Sequence, residues 1–289
     1  MIITNKMGLP EPFVNMARAD EYKLGEKEYR VTSLLKGVRE TLLERRHHDE
    51  IERDCADMVW MLWGTAVHGV LEHQQESDTQ FKEERLKAEI DGYTISGKFD
   101  LYDDATKTVQ DYKTASVWKV MFGDFSDWRR QTLIYCWLLR QTGFDAQNGR
   151  ITAFLKDHSK RDAKIKAGYP QLPVYVVDFR FTEEDFAECE TWLRERIKGI
   201  QQAEQLSDDM LPVCSPEERF NSGDKYAVLK KGRKTALRVL DSMEEAQAWM
   251  VANGGDTIEC RPGEDKKCAD YCACKEFCNY YKAKMEARA

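Results

Sequence analysis

The chain has 289 residues, 42% hydrophobic and 33% charged, enough to bury a sizeable core as one large domain or one domain with a smaller appendage. Its net charge of −7 excludes a protein coated in basic surface, so any contact with phosphates must come from local patches and bound metal ions. No apolar run approaches the ~20 residues that cross a bilayer, and residues 1–18 lack the basic-then-apolar layout of a secretion signal, so a cytoplasmic protein with no membrane partner is expected.

Residues 31–46 carry Leu34, Leu35, Val38, Leu42 and Leu43 at helical spacing; Arg39, Arg45 and Arg46 beside them read as phosphate contacts or as a solvated face. A second helix spans residues 54–75, with an apolar stripe of Val59, Leu62, Trp63, Ala66, Val67, Val70 and Leu71 and with His68 at its border. The period then becomes strand-like: residues 93–102 and 108–114 form a hairpin about a polar turn at 103–107. A helix over 127–141 ends at Gly143, and strands follow at 151–155 and 174–181. Thr182 caps the next helix, 183–205, whose first turn is acidic. A composition shift near Leu211-Pro212 separates a domain of residues 1–210 from a module of residues 211–289 packed on it. That module holds a hairpin, 226–230 with 235–240, and a helix that starts at a capping box of Ser242 and Glu245 and stops at Gly254-Gly255.

Side chains two apart on a strand share a face, so Asp111 and Lys113 point together and Tyr112 points away. With Asp100 alongside, two carboxylates and an amine can hold Mg²⁺ or Mn²⁺ together with a phosphate, which makes phosphodiester hydrolysis the leading reading. Lys113 would then stabilise charge on the phosphate; the plainer reading is a solvent-facing ion pair. Gln131 and Tyr135 lie at i and i+4 on one helix face, where an amide and a hydroxyl can reach a DNA backbone or serve as a surface Gln and a core Tyr. Gly64 permits close backbone approach one turn before His68. Glu83, Glu84 and Glu89 are further acidic candidates, equally explained by a solvated edge. Lys230, Lys231, Arg233 and Lys234 put a basic turn on the later hairpin, a DNA-phosphate contact or a solvated face. Trp118 and Trp128 can stack on bases, although core packing is the default.

Nine cysteines are many for this length. Cys55, Cys136 and Cys189 stand singly in apolar helical patterns and read as inert core residues. Cys214, Cys260, Cys268, Cys272, Cys274 and Cys278 all follow residue 210, and in a reducing compartment such clustering points to zinc or an iron–sulfur cluster more than to disulfides.

Taken in order, Gly64…His68, Gly97…Asp100, Asp111-x-Lys113 and Gln131…Tyr135 resemble the RecB-like branch of the PD-(D/E)XK nuclease superfamily, phage-type exonucleases included. The resemblance implies an α/β, restriction-endonuclease-like core, a central mixed sheet flanked by helices, with a small cysteine-rich C-terminal module. It implies Mg²⁺ or Mn²⁺ on His68, Asp100 and Asp111, hydrolysis assisted by Lys113, and DNA engaged by Gln131 and Tyr135. It further implies an exonuclease acting at DNA ends in recombination, repair or phage DNA metabolism, with a recombination or helicase protein as partner. Phe99 stands where the family name has Pro. The tail resembles the cysteine triad of iron–sulfur RecB-like nucleases, which implies a 4Fe–4S cluster or Zn²⁺ on Cys214, Cys268, Cys272 and Cys278, with Cys260 and Cys274 as alternates. The first gap here is three residues where that triad has two, and Cys214 follows the core instead of preceding it. A non-catalytic DNA-binding scaffold and a sequence-specific endonuclease are the competing classes.

Overall fold

Hydrophobic spacing sets the elements of the chain, which a computed structural model describes over residues 1–19, 23–74 and 77–287. The chain divides into two units, Met1–Leu206 and Ser207–Ala289. The first opens with strand β1 (Ile2–Thr4), helix α1 (Glu11–Arg18) and strand β2 (Glu28–Arg30). The helix expected over residues 31–46 is two helices, α2 (Val31–Leu34) and α3 (Val38–Arg46), because Gly37 takes an extended conformation as the N-cap of α3. Of its arginines only Arg46 is exposed, as a solvated face would have it. Arg39 is buried, Arg45 donates to the carbonyls of Gly25 and Glu28 and lies over the Tyr29 ring, and Arg46 reaches the carbonyls of Ala203 and Glu204.

Strand β3 (Glu52–Asp54) pairs in parallel with β1, and a short 3₁₀ turn, Cys55–Met58, leads into α4 (Val59–Glu72). The expected end of that helix at Gln75 lies outside the described residues. Next come β4 (Gln80–Lys82), β5 (Arg85–Ile90), β6 (Tyr93–Lys98), β7 (Leu101–Asp103) and β8 (Thr108–Ala115), then α5 (Val117–Phe122) and α6 (Ser126–Gln141). The unit finishes with β9 (Asn148–Leu155), α7 (Lys160–Ile165), β10 (Val174–Arg180) and α8 (Glu183–Glu204), the last opened by a capping box of Thr182 and Asp185.

The central sheet is mixed, in the order β10-β9-β8-β7-β4, with β8 and β9 its parallel pair. A second sheet runs β2-β6-β5. Helix α6 packs against strands of both sheets and against α8, and every residue from Thr132 to Leu139 is buried, the pattern of a helix at the centre of a core. Two glycines admit it. A Cβ on Gly97 of β6 would lie 2.8 Å from the Tyr135 ring, and one on Gly149 of β9 would lie 2.4 Å from Cγ2 of Thr132. Thr132 is fully buried and its hydroxyl is bonded to the Trp128 carbonyl, so it cannot turn aside cheaply. Gly149→Ala is therefore expected to destabilise the first unit by about 1–3 kcal/mol. A denaturation midpoint equal to that of the parent would refute this account of the packing.

The second unit holds β11 (Lys225–Leu229), β12 (Arg238–Leu240), α9 (Met243–Asn253), β13 (Thr257–Arg261), α10 (Lys266–Asp270) and α11 (Asn279–Glu286). The expected hairpin is β11 with β12, and β13 adds a third antiparallel strand on the other side of β11. Ser242 caps α9 by accepting from the Glu245 amide, and Gly254 ends it at φ +84°. The apolar core here is thin: Leu211, Ala227, Val228, Ala246, Cys274 and Cys278.

Polar contacts carry much of this unit's order. Buried Asp265 accepts from Asn221 (2.6 Å), Tyr280 (2.9 Å), Lys284 (2.5 Å) and Arg219 (2.9 Å), joining three separate segments. Burial alone would push this carboxyl up, but these donors and charges outweigh it and hold it at about 2. A depressed carboxylate pKa stabilises the fold above the unfolded value near 3.9, and that stability is lost as pH falls from about 4 through 2. Over that window the second unit is expected to lose about 2 kcal/mol that an Asp265→Asn variant does not lose, measured by denaturant titration of both proteins against pH. No helix among the described residues is long and apolar enough to cross a membrane.

Candidate active site

The strand expected over residues 93–102 is interrupted at Phe99 and Asp100, because the chain leaves one sheet there and enters the other. β6 pairs with β2 and β5, whereas β7 pairs with β4 and β8. Phe99 is fully buried and anchors the crossing, which fixes Asp100 at the seam. Asp100 Oδ2 accepts the Tyr112 amide at 2.6 Å, and its Oδ1 lies 3.0 Å from His68 Nδ1. His68 Nε2 is 3.0 Å from the Tyr112 carbonyl and donates to it, which leaves Nδ1 on the side of the carboxylate. Helix α4 comes this close over β8 because Gly64 has no side chain: a Cβ there would sit 3.3 Å from Thr114 Oγ1, the close approach expected at this glycine.

Alternation along β8 sends Thr114 towards α4, and Asp111 and Lys113 towards α6. Lys113 Nζ lies 2.6 Å from Asp111 Oδ2 and donates to Gln131 Oε1 at 2.9 Å; Gln131 Nε2 in turn donates to the Tyr135 hydroxyl at 3.0 Å. Tyr135 is only 4% exposed, so the contact with DNA expected of it is closed off, and it braces Gln131 from behind. Asp111 is 3% exposed, and its Oδ2, although at ion-pair distance from Lys113, has no aligned hydrogen bond. Burial pushes its carboxyl up, Lys113 only partly offsets this, and Asp100 adds to it. His68 is raised in the opposite sense, as a base: its hydrogen bond to Asp100 favours the imidazolium, against burial, and the charges of Asp100, Asp111 and Glu83 add to that preference.

Glu83 joins this cluster. It sits in the turn between β4 and β5 at φ +53°, a left-handed conformation that strains a residue with a Cβ, and its amide donates to the Asp100 carbonyl at 3.2 Å. His68, Glu83 and Asp100 each offer a ligand atom, all within 4.8 Å of one another. Burial raises the Glu83 carboxyl, and Lys98 at 2.5 Å lowers it in part. One imidazole with several carboxylate oxygens is a donor set suited to a hard divalent cation, and the orphaned Asp111 oxygen is consistent with it. Glu84 and Glu89, the other acidic candidates, are exposed. Nothing in the sequence singles out Glu83 from them, since what selects it is a backbone turn.

The basic quartet Lys230, Lys231, Arg233 and Lys234 is exposed on the turn between β11 and β12, where Gly232 has φ +84°. No disulfide joins the nine cysteines among the described residues. Cys55, Cys136 and Cys189 are buried, as expected, and burial raises Cys136 strongly and Cys189 to about 12. In the second unit Cys272 and Cys274 sulfurs are 3.5 Å apart, and burial, with the charges of Cys272, Asp265 and Cys278, raises Cys268 to about 11. Cys274 and Cys278 are buried and Cys214 is half-buried, while Cys260 is exposed on β13 opposite Tyr226. Among the described residues, no three of these sulfurs lie within 4.8 Å of one another. The two tryptophans part company: Trp128 is buried and stacked on Phe125, and Trp118 is 52% exposed.

The family model of the PD-(D/E)XK nuclease superfamily matches residues 16–215. No curated protein matches the chain. Among solved structures, SSO0001 is 17% identical, aligned over 63% of this chain and 81% of its own, with a TM-score of 0.46. A phage-related exonuclease from Haemophilus somnus 129PT is 15% identical over 60% of this chain and 75% of its own, with a TM-score of 0.28. Both likenesses are distant, and the assignment rests on the family match. That match spans more than half of the chain and takes in every residue from His68 to Tyr135 that meets at the seam of the two sheets, and the chain belongs to the PD-(D/E)XK nuclease superfamily.

Proposed function

We propose that this protein is a Mg²⁺- or Mn²⁺-dependent deoxyribonuclease, an exonuclease that hydrolyses phosphodiester bonds at DNA ends. The observation that carries the reading is the convergence of His68, Glu83 and Asp100 with the Asp111–Lys113 pair at one seam. A divalent cation held by His68, Glu83, Asp100 and Asp111 would polarise the scissile phosphate and lower the pKa of the attacking water. The Tyr112 backbone holds both Asp100 and His68 in place. Lys113 keeps its ammonium beside the carboxylates because Gln131, braced by Tyr135, holds it there, and that ammonium meets the charge that builds on the phosphate oxygens. Lys230, Lys231, Arg233 and Lys234 draw the DNA backbone. The preference for ends, the setting in recombination, repair or phage DNA metabolism, and a helicase or recombination partner are carried over from the family resemblance.

Incubation of end-labelled linear DNA and of circular DNA, single- and double-stranded, with Mg²⁺ or Mn²⁺ tests the reading. Release of the label from linear DNA with circles left intact is expected. Cut circles would make the protein an endonuclease, and no cleavage by pure protein would favour the scaffold. Glu83→Gln is expected to raise the Mn²⁺ concentration for half-maximal cleavage at least about tenfold; an unchanged requirement would remove Glu83 from the site.

A further inference from the structure

We infer that the exposed aromatic face of α4 and α5 is a stacking platform for the bases of an unpaired DNA strand. The inference deepens the nuclease reading and rests on it for where that strand leads.

Of the apolar stripe on α4, Leu62 is the only fully buried member among the described residues. Val59, Trp60, Trp63 and Val70 are 36%, 55%, 57% and 65% exposed. With half-buried Val67 they line one flank of the helix, since their spacing follows its turn, and His68 occupies the adjoining flank that faces Asp100. On α5, Trp118 and Phe122 are 52% and 77% exposed and stack with ring centres 5.8 Å apart. Four large aromatic rings left in water, two on α4 and two on α5, mark a surface that something covers.

The charge around the patch selects the occupant. Lys156 Nζ lies 4.6 Å from the centre of the Trp60 ring. Exposed Lys156, Lys160, Arg161, Lys164 and Lys166 follow β9 against Asp157 and Asp162, in a chain that is acidic overall. Asp162 is bonded to Lys166, and Asp157 accepts from Ser116 and the Val117 amide, which docks the segment on the start of α5. The Lys156 amide also donates to the Ala115 carbonyl at 3.0 Å. Tryptophans and lysines therefore gather where β8 ends, four residues beyond Asp111, about 13 Å along a strand. Aromatic faces interleaved with cations match single-stranded nucleic acid, whose bases are free to stack and whose phosphates meet the charges. An apolar protein surface would leave those cations uncompensated, and paired bases present no free face to the rings.

The test is binding of fluorescein-labelled oligothymidine and of a blunt duplex to the full chain in buffer without chelator and without added Mg²⁺ or Mn²⁺, where no cleavage is expected. Trp60→Ala and Trp63→Ala are each expected to weaken oligothymidine binding about tenfold, Trp60→Phe to keep most of it, and duplex binding to change less than about twofold. Ultraviolet cross-linking of a bromodeoxyuridine oligonucleotide to the unmodified protein is expected at Trp60, Trp63, Trp118 or Phe122. Unchanged affinity in the Trp60→Ala/Trp63→Ala double variant, or cross-links confined to other segments, overturns the platform. So does a dimer in sedimentation that the double variant dissolves, because a second copy would then cover the face. Strand binding through these tryptophans with no cleavage in Mg²⁺ or Mn²⁺ would overturn the nuclease reading and leave the platform standing.

Discussion

Asp111→Ala is expected to lose on the order of a thousandfold in DNA cleavage while the first unit stays folded. The carboxylate is buried beside Asp100, and burial disfavours its charge, so the fold gains little from it. Its one near partner among the described groups, Lys113, remains bonded to Gln131 when Asp111 is removed and has enough exposure to be solvated. What the substitution takes away is a cation ligand. A second measurement separates that loss from general damage. Ligand binding to the native state alone raises stability by about 2.7 kcal/mol at a hundredfold excess over Kd, so the parent is expected to gain thermal stability with Mn²⁺ and Asp111→Ala to gain little. Lys113→Ala should keep the Mn²⁺ gain and still lose cleavage, because it supplies charge and no ligand. Parental turnover in either variant, from a clean preparation, would sink the assignment.

Removal of metal from the cysteine module should have an effect of similar size on structure. Ser207–Ala289 buries few large apolar side chains, and units with so thin a core are commonly stapled by disulfides or a metal. Its cysteines form no disulfide, yet two sulfurs lie 3.5 Å apart and two others are buried or half-buried nearby in sequence. A structural zinc contributes about 10–16 kcal/mol of apparent binding free energy to small thiolate sites, and that energy becomes folding energy. Anaerobically purified protein is expected to carry one zinc ion or one iron–sulfur cluster per chain, told apart by visible absorbance. Chelation, or Cys268→Ser, should open Ser207–Ala289 to proteolysis and leave Met1–Leu206 resistant. Intact protein containing neither zinc nor iron would refute the metal centre outright.

The elements of the chain follow from local periodicity, and so does the pairing of Asp111 with Lys113, because a strand's two-residue repeat puts them on one face wherever the strand lies. The helix at Ser126–Gln141 and the caps at Thr182 and Ser242 were legible for the same reason, each depending on neighbours within a few residues, whereas of the hairpin expected between residues 93–102 and 108–114 only Leu101–Asp103 pairs with Thr108–Gln110. Long-range contacts decided the rest. Alternation runs unbroken through Phe99 and Asp100, so only the pairing of β6 and β7 with different strands shows the seam that holds the site. Tyr135 and Gln131 share a helix face in either reading, and it is the sheet packed on α6 that buries one behind the other. The stripe on α4 has a core helix's spacing, but the helix meets the sheet through the narrow Gly64–His68 face, which turns Trp60 and Trp63 to solvent. The chemistry of the carboxylates and the lysine was thus determined by residue type and local spacing, while the choice of Glu83, the brace behind Lys113 and the exposed aromatic face were decided by where two sheets and a helix meet.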